Sequence, residues 1–209
     1  MPKCKYHNTK FIAKYFNQKY CLEDDECIKA FNEFVKESKE KQKAKQWQKE
    51  KKVIKEKLKS KSDYKEDLQK EINRIIKYID KNVNCISSNR PLSDKRNSGH
   101  IYAVGGNDTI RFNLNNIYNQ SISDNKDKGG CPLEAMQGIK NTYGIEQYEL
   151  VLSLKAKYTY LGLTIDDLKE KIVIARQIVK ELTKADLTYP SLVRIELRKK
   201  YNERIGIYK

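Results

Sequence analysis

The chain reads as an α+β protein, mostly helical, with a small ββα core between long helices and a zinc-knuckle-like unit at the N-terminus. Three observations predict this. Apolar residues recur at helical spacing over much of the sequence, as in Leu68, Ile72, Ile75, Ile76 and Ile79, and again in Ile165, Leu168, Ile172, Ala175, Val179 and Leu182. Residues 85–130 lack that period and carry five of the nine glycines and one of the two histidines. The other histidine and three of the five cysteines gather within residues 4–27. The expected segments are 1–30 (the knuckle-like unit), 31–82 (a basic helical arm and a packing helix), 83–140 (the core) and 141–209 (C-terminal helices).

A length of 209 residues suits one compact domain with extensions. Charged residues make up 34% of the chain, so much of the helix surface must be solvated. The net charge of +15 favours a polyanionic partner, nucleic acid before membrane, although a solvated lysine-rich protein would have the same balance. Some of the fourteen tyrosines can stack on bases, and most suit half-buried helix positions. No apolar leader follows Met1 and no later run approaches a membrane span, so a cytoplasmic protein without a membrane partner is expected. Its cysteines are then thiols or metal ligands rather than disulfides.

In chain order, Cys4-x2-His7 is followed by Cys21-x5-Cys27, with Phe11 to Tyr20 between them suiting a short hairpin. Thiolate and imidazole pairs beside a hairpin can form a tetrahedral zinc site, and so small a unit cannot hold itself by core burial. The second spacing is wider than usual, and unligated cysteines are the alternative. A helix over 28–61 follows. Its middle has almost nothing to bury and carries Lys39, Lys41, Lys43 and Lys45. Two readings stand side by side: a phosphate-contacting arm and a solvated spacer.

The next helix, about 63–82, is expected to be capped by Ser62 or Asp63. His100 to Val104 reads as a strand, Gly105 to Asp108 as a turn, and Thr109 to Asn113 as the return strand, with a helix from near Ser121. Cys131 before Pro132 reads as a small residue at a helix start. Leu133 to Ile139, then Tyr148 to Leu154, suit short helices broken at 141–144. Thr164 caps the helix that starts at Ile165, and a final basic helix runs through Arg194, Arg198, Lys199 and Arg204.

A histidine on the first strand, an asparagine after the second and polar residues on the next helix resemble the HNH, or His-Me finger, nuclease core. There the histidine takes a proton from water, the asparagine orients it, and helix ligands hold a divalent metal at the scissile phosphate. The resemblance becomes specific in the ordered series Cys85-x2-Ser88, Asn97-x-Gly99-His100, Arg111-Phe112-Asn113, Asn116-Ile117, Gln120, Ser121-x2-Asp124, Asn125 and Lys128-Gly129-Gly130. Together with Cys4, Cys21, Cys27 and Phe16 to Tyr20, this series resembles the NinG/Rap family of phage recombination proteins over about residues 3–185.

That resemblance implies a metal-dependent, structure-specific endonuclease for branched DNA such as Holliday junctions or D-loops, in a phage or prophage setting. His100 matches the general base and Asn116 the asparagine after the second strand. Asn97, Asn125 and Asp127 match the ligands of a catalytic Mg2+ or Mn2+. Zinc would sit on Cys4, His7, Cys21 and Cys27. DNA contacts are expected from Lys39, Lys41, Lys43, Lys45, Arg111, Lys126 and Lys128, and the reading leaves room for a homodimer. The sequence departs from the family where two Cys-x2-Cys pairs become Cys85/Ser88 and Ser121/Asp124, which predicts a hydrogen-bonded or apolar cluster in place of a core zinc. Asn97 stands where many members have Asp, and Asp94 or Asp124 would have to supply the missing charge. A catalytically degenerate DNA-binding accessory is the alternative, and a zinc-containing interaction protein a third reading.

Overall fold

A computed structural model describes residues 1–93 and 95–208. The chain divides into two compact units, Met1–Lys59 and Ser60–Lys209, so the arm and the packing helix expected as one segment fall in different units.

In the first unit, Lys3 and Lys10 form an antiparallel bridge around a tight turn in which Cys4 N donates to Thr9 O at 2.8 Å. Residues 11–20 form no hairpin. Asn17 takes a left-handed φ of 60°. The Gln18 side chain accepts from Lys14 N and donates to Tyr20 O, each at 2.7 Å, occupying groups that a strand ladder would need. Helix α1, Asp25–Lys57, then runs for 33 residues, about 50 Å. It starts earlier than the apolar pattern suggests because Asp24 caps it. Cys27 is its one buried residue, and Trp47, Val53, Ile54 and Leu58 stay exposed.

The second unit opens with α2, Lys61–Ile79. Its cap is Ser60, not Ser62 or Asp63. Asp63 N donates to Ser60 Oγ, and Ser60 N donates back to Asp63 Oδ2. Leu68, Ile72, Ile75, Ile76 and Ile79 are fully buried against α5 (Ile165–Ala185), through Leu168, Ile172, Ala175, Ile178, Val179 and Leu182. Each such side chain contributes about 1.5–3 kcal/mol by leaving water.

Two short strands, β1 (Asn97–His100) and β2 (Ile117–Gln120), pair antiparallel with Gly99 opposite Tyr118 and His100 opposite Ile117. Of the residues expected in strands, only His100 is in one. Residues 101–116 form a loop of three short 3-10 turns, Val104–Gly106, Asp108–Ile110 and Leu114–Asn116. The reason is local: the Asn116 side chain accepts from Tyr102 N at 2.9 Å and donates to Tyr102 O at 3.2 Å, the groups a continuing strand would have paired. Beyond β2 comes a single π-helical turn, Ser123–Asp127, rather than a helix from Ser121. Gly129, Gly130 and Cys131 all have positive φ, and α3 starts at Pro132.

Successive residues of β2 face opposite sides. Ile117 joins the α2–α5 core, while Tyr118 joins a second core of Ile86, Ile101, Ile110, Ala135, Ile139, Tyr143, Val151 and Leu154 under α3 (Pro132–Tyr143) and α4 (Ile145–Lys157). Gly138 lets α3 approach closely, since a Cβ there would lie 1.7 Å from Ile86 O.

Helix α6, Ser191–Ile205, is the expected final basic helix, but two of its arginines are buried. Arg198 is fully buried, stacks on Tyr118 at 4.4 Å and pairs with Asp80 Oδ2 at 2.8 Å. Arg194 is buried too, and Arg204 pairs with Glu181. No helix among the described residues is long and apolar enough to cross a membrane.

Candidate metal centre and histidine site

In the first unit, the turn after Cys4, the loop ending at Cys21 and the first turn of α1 bring four side chains to one point. The ligand atoms of Cys4, His7, Cys21 and Cys27 lie within 4.8 Å of one another. Sγ of Cys27 is 3.6 Å from that of Cys4 and 3.7 Å from that of Cys21. His7 Nδ1 is 3.7 Å from Cys4 Sγ and 3.2 Å from Cys21 Sγ. A tetrahedral zinc with ordinary bond lengths separates its ligands by about 3.8 Å (S to S) and about 3.6 Å (S to N). The set therefore fits a zinc ion. The surrounding core is small, chiefly Phe11 and Tyr20 with Phe31 and Phe34 half-buried beside it, so an ion would supply much of what holds it.

Burial raises the Cys4 thiol pKa, but the N–H groups of His7, Cys21 and Tyr6 more than offset this and bring it to about 6. Cys21 is pushed up to about 11, first by burial. Asp24 is the residue that sequence reasoning missed. One oxygen accepts from Cys27 N, the other holds His7 Nε2, and both contacts are 2.7 Å. The second contact leaves Nδ1 turned toward the thiols. An Asp directly before an acidic first helical turn was the available signal.

In the second unit, His100 ends β1 half-buried, and its Nε2 lies 2.9 Å from Arg111 O. A carbonyl only accepts, so Nε2 carries the proton and the lone pair is on Nδ1. Burial moves the imidazole pKa below its ordinary value, helped by the Arg111 charge and opposed by the bond to the Arg111 carbonyl, so the ring is neutral at pH 7.

Asn116 does not orient His100. It precedes β2 rather than following it, and its side chain ties Tyr102 to Ile110 across the loop. It thus shapes the loop that presents the Arg111 carbonyl. The Arg111 guanidinium is turned onto Asp108, which Lys65 also holds. It is largely buried in that pair rather than displayed for DNA.

The positions of the two lost Cys-x2-Cys pairs do come together. Cys85 Sγ donates to Asp124 Oδ2 at 3.2 Å, and Ser121 Oγ donates to the same oxygen at 2.8 Å. With Ser88 the most strongly, then Ser121 and Cys85, these donors hold the Asp124 carboxyl well below the usual range. Lys128 reaches the other oxygen at 3.2 Å. Asp124 is thus committed to this cluster and not to an ion beside His100.

Of the expected catalytic metal ligands, Asn97 opens β1 opposite Gln120, and Asp127 is exposed. Asp94 lies outside the described residues. Among the described residues the one convergent set of three or more His, Cys, Asp or Glu ligands is the N-terminal one. A different oxygen pair is present. Gln120 Nε2 donates to Ser87 Oγ at 2.6 Å and to Gly130 O at 2.7 Å, which fixes the amide, and the buried Oε1 has no hydrogen-bond partner among the described residues. That oxygen and Asn125 Oδ1 lie 1.6 and 2.6 Å from where a Cβ on Gly99 would sit. Only glycine leaves them room. Lys39, Lys41, Lys43, Lys45 and Lys126 are exposed, as is Lys128 beside its Asp124 contact.

These features define a basic, mostly helical protein with a zinc-competent Cys3His cluster and a separately folded histidine-bearing loop. The model of the NinG family, described as the bacteriophage lambda NinG protein, matches residues 1–186, and the chain belongs to that family of phage recombination-related proteins. No curated protein and no solved structure matches it.

Proposed function

We propose that the chain is a structure-specific endonuclease of phage recombination that cuts branched DNA, with an HNH-like ββα core formed by β1, β2 and the turn at 123–127. The observation that carries this reading is His100, locked by the Arg111 carbonyl with its Nδ1 lone pair unprotonated at neutral pH. His100 Nδ1 accepts a proton from water as the new O–P bond forms and the P–O ester bond breaks. A divalent cation, Mg2+ or Mn2+, would take Asn125 Oδ1, with water and phosphate as its remaining ligands, and would neutralise charge on the phosphate. A zinc ion at Cys4, His7, Cys21 and Cys27 would be structural, since four protein ligands close the site. The exposed lysines of α1 would contact DNA phosphates.

One observation favours a second reading, a DNA-binding recombination accessory without cleavage: the candidate cation ligand is a neutral amide oxygen, not a carboxylate. Cleavage of a labelled four-way junction with magnesium or manganese separates the two. Nicking that disappears in EDTA, and falls about 10²–10⁴-fold in His100→Ala at unchanged junction affinity, supports the endonuclease. Tight, salt-sensitive binding with no nicking under any metal supports the accessory.

A further inference from the structure

The peptide unit between Arg111 and Phe112 is bound on both sides. Its carbonyl accepts from His100 Nε2 at 2.9 Å, and its N–H donates to the Tyr208 hydroxyl at 3.1 Å. Tyr208 is buried and follows α6, in residues 187–209, beyond the stretch that the family model matches. The same segment holds the next peptides of the loop. Asn202 Oδ1 accepts from Leu114 N at 3.0 Å, Asn202 Nδ2 donates to Asn113 Oδ1 at 3.1 Å, and Arg198 Nε donates to Leu114 O at 3.2 Å.

A peptide plane is rigid, so fixing its N–H fixes the direction of its carbonyl. Among the described residues, no other hydrogen bond holds this peptide plane. The carbonyl in turn decides which nitrogen of His100 carries the proton. We propose that Tyr208 is a positioning residue that acts through the Arg111–Phe112 peptide to hold His100 in its Nε2–H tautomer, and that the C-terminal segment thereby completes the histidine site. The proposal rests on the reading of His100 as general base for its catalytic consequence, but not for its structural one.

Tyr208→Phe tests it in the 209-residue chain. The variant keeps the ring that packs edge-on against Tyr158 at 4.9 Å and removes only the hydroxyl. The chain has two histidines, so His100 is resolved in a long-range 1H–15N spectrum, assigned by His100→Ala. The wild-type chain is expected to show His100 as the Nε2–H tautomer with a slowly exchanging Phe112 amide. In Tyr208→Phe the tautomers mix, the Phe112 amide exchanges at least tenfold faster, and kcat for junction cleavage falls about tenfold with Kd for DNA unchanged. Thermal unfolding, shifted by only a few degrees, verifies the fold. An unchanged tautomer together with an equally protected Phe112 amide overturns the proposal. Failure of the general-base reading shows separately, as wild-type cleavage in His100→Ala, and the tautomer and exchange measurements still decide the role of Tyr208.

Discussion

Asp24 holds His7 Nε2 through one carboxylate oxygen and caps the N–H of Cys27 through the other, each at 2.7 Å. One side chain therefore orients one prospective zinc ligand and anchors the backbone of another. Purified protein is expected to contain one zinc per chain. Asp24→Asn should weaken zinc binding about 10–100-fold in a chelator competition, the usual effect of losing the partner of a ligating histidine. Chelation should also unfold residues 1–24 and fray the start of α1, read by amide exchange. A zinc-free chain with the same protection there would make the cluster a set of packed thiols.

Asp124 gives a dependence on pH. Its carboxyl is held below the ordinary range, so its contribution is complete above the unfolded-state pKa of about 3.9 and is lost as pH falls through the lower folded-state value. Asp124→Asn should lower stability by about 1.5–3 kcal/mol at pH 7, since the carboxylate accepts from several donors. The gap between variant and wild type should narrow steadily below about pH 4. A gap that is constant from pH 7 to pH 2.5 in denaturant titrations would show that the cluster does not depend on the ionised form.

On the proposed endonuclease reading, His100 should set the acid limb of cleavage. Its base form survives below the ordinary imidazole value because burial disfavours the cation. The midpoint of the acid limb should lie below the ordinary imidazole value of about 6.5. A midpoint above pH 7 in the profile of kcat/KM would assign the limb to another group.

The lysines of α1 fall on two sides of the helix. Steps of two residues turn about 200°, which puts Lys39 and Lys43 on one side and Lys41 and Lys45 on the other. Lys41 also pairs with Glu37 at 3.1 Å. One duplex can meet only one side, so neutralising all four should flatten the slope of log affinity against log salt by about 1.8, half of the 3.6 that four contacts would give. Linear and branched DNA should weaken alike. An unchanged slope would make α1 a spacer and move the search for DNA contacts to Lys126 and Lys128.

Legibility in the sequence tracked the range of each interaction. The isoleucine face of α2 and the Thr164 cap of α5 were readable because both are local patterns. β2 was not, because Asn119 and Gln120 are polar yet buried, their amide N–H groups donating to Asp80, Ser87 and Gly130 from elsewhere in the chain. His100 was recognisable, but its partner is a backbone carbonyl, which leaves no mark on side-chain identity. The burial of Arg198 left no mark in the sequence because Asp80, which lets it sit inside, lies 118 positions away.

That separation bears on how the protein is made. Asp80 emerges from the ribosome long before Arg198, by about 6–24 s at ordinary elongation rates. A buried carboxylate without its cation is strongly unfavourable, so the interior around β2 cannot close during that interval. The four prospective zinc ligands, by contrast, all lie between Cys4 and Cys27. Vectorial synthesis thus gives the N-terminal cluster time to assemble while the nascent second unit is still open, and the histidine loop can acquire its final form only after Arg198, Asn202 and Tyr208 have been made.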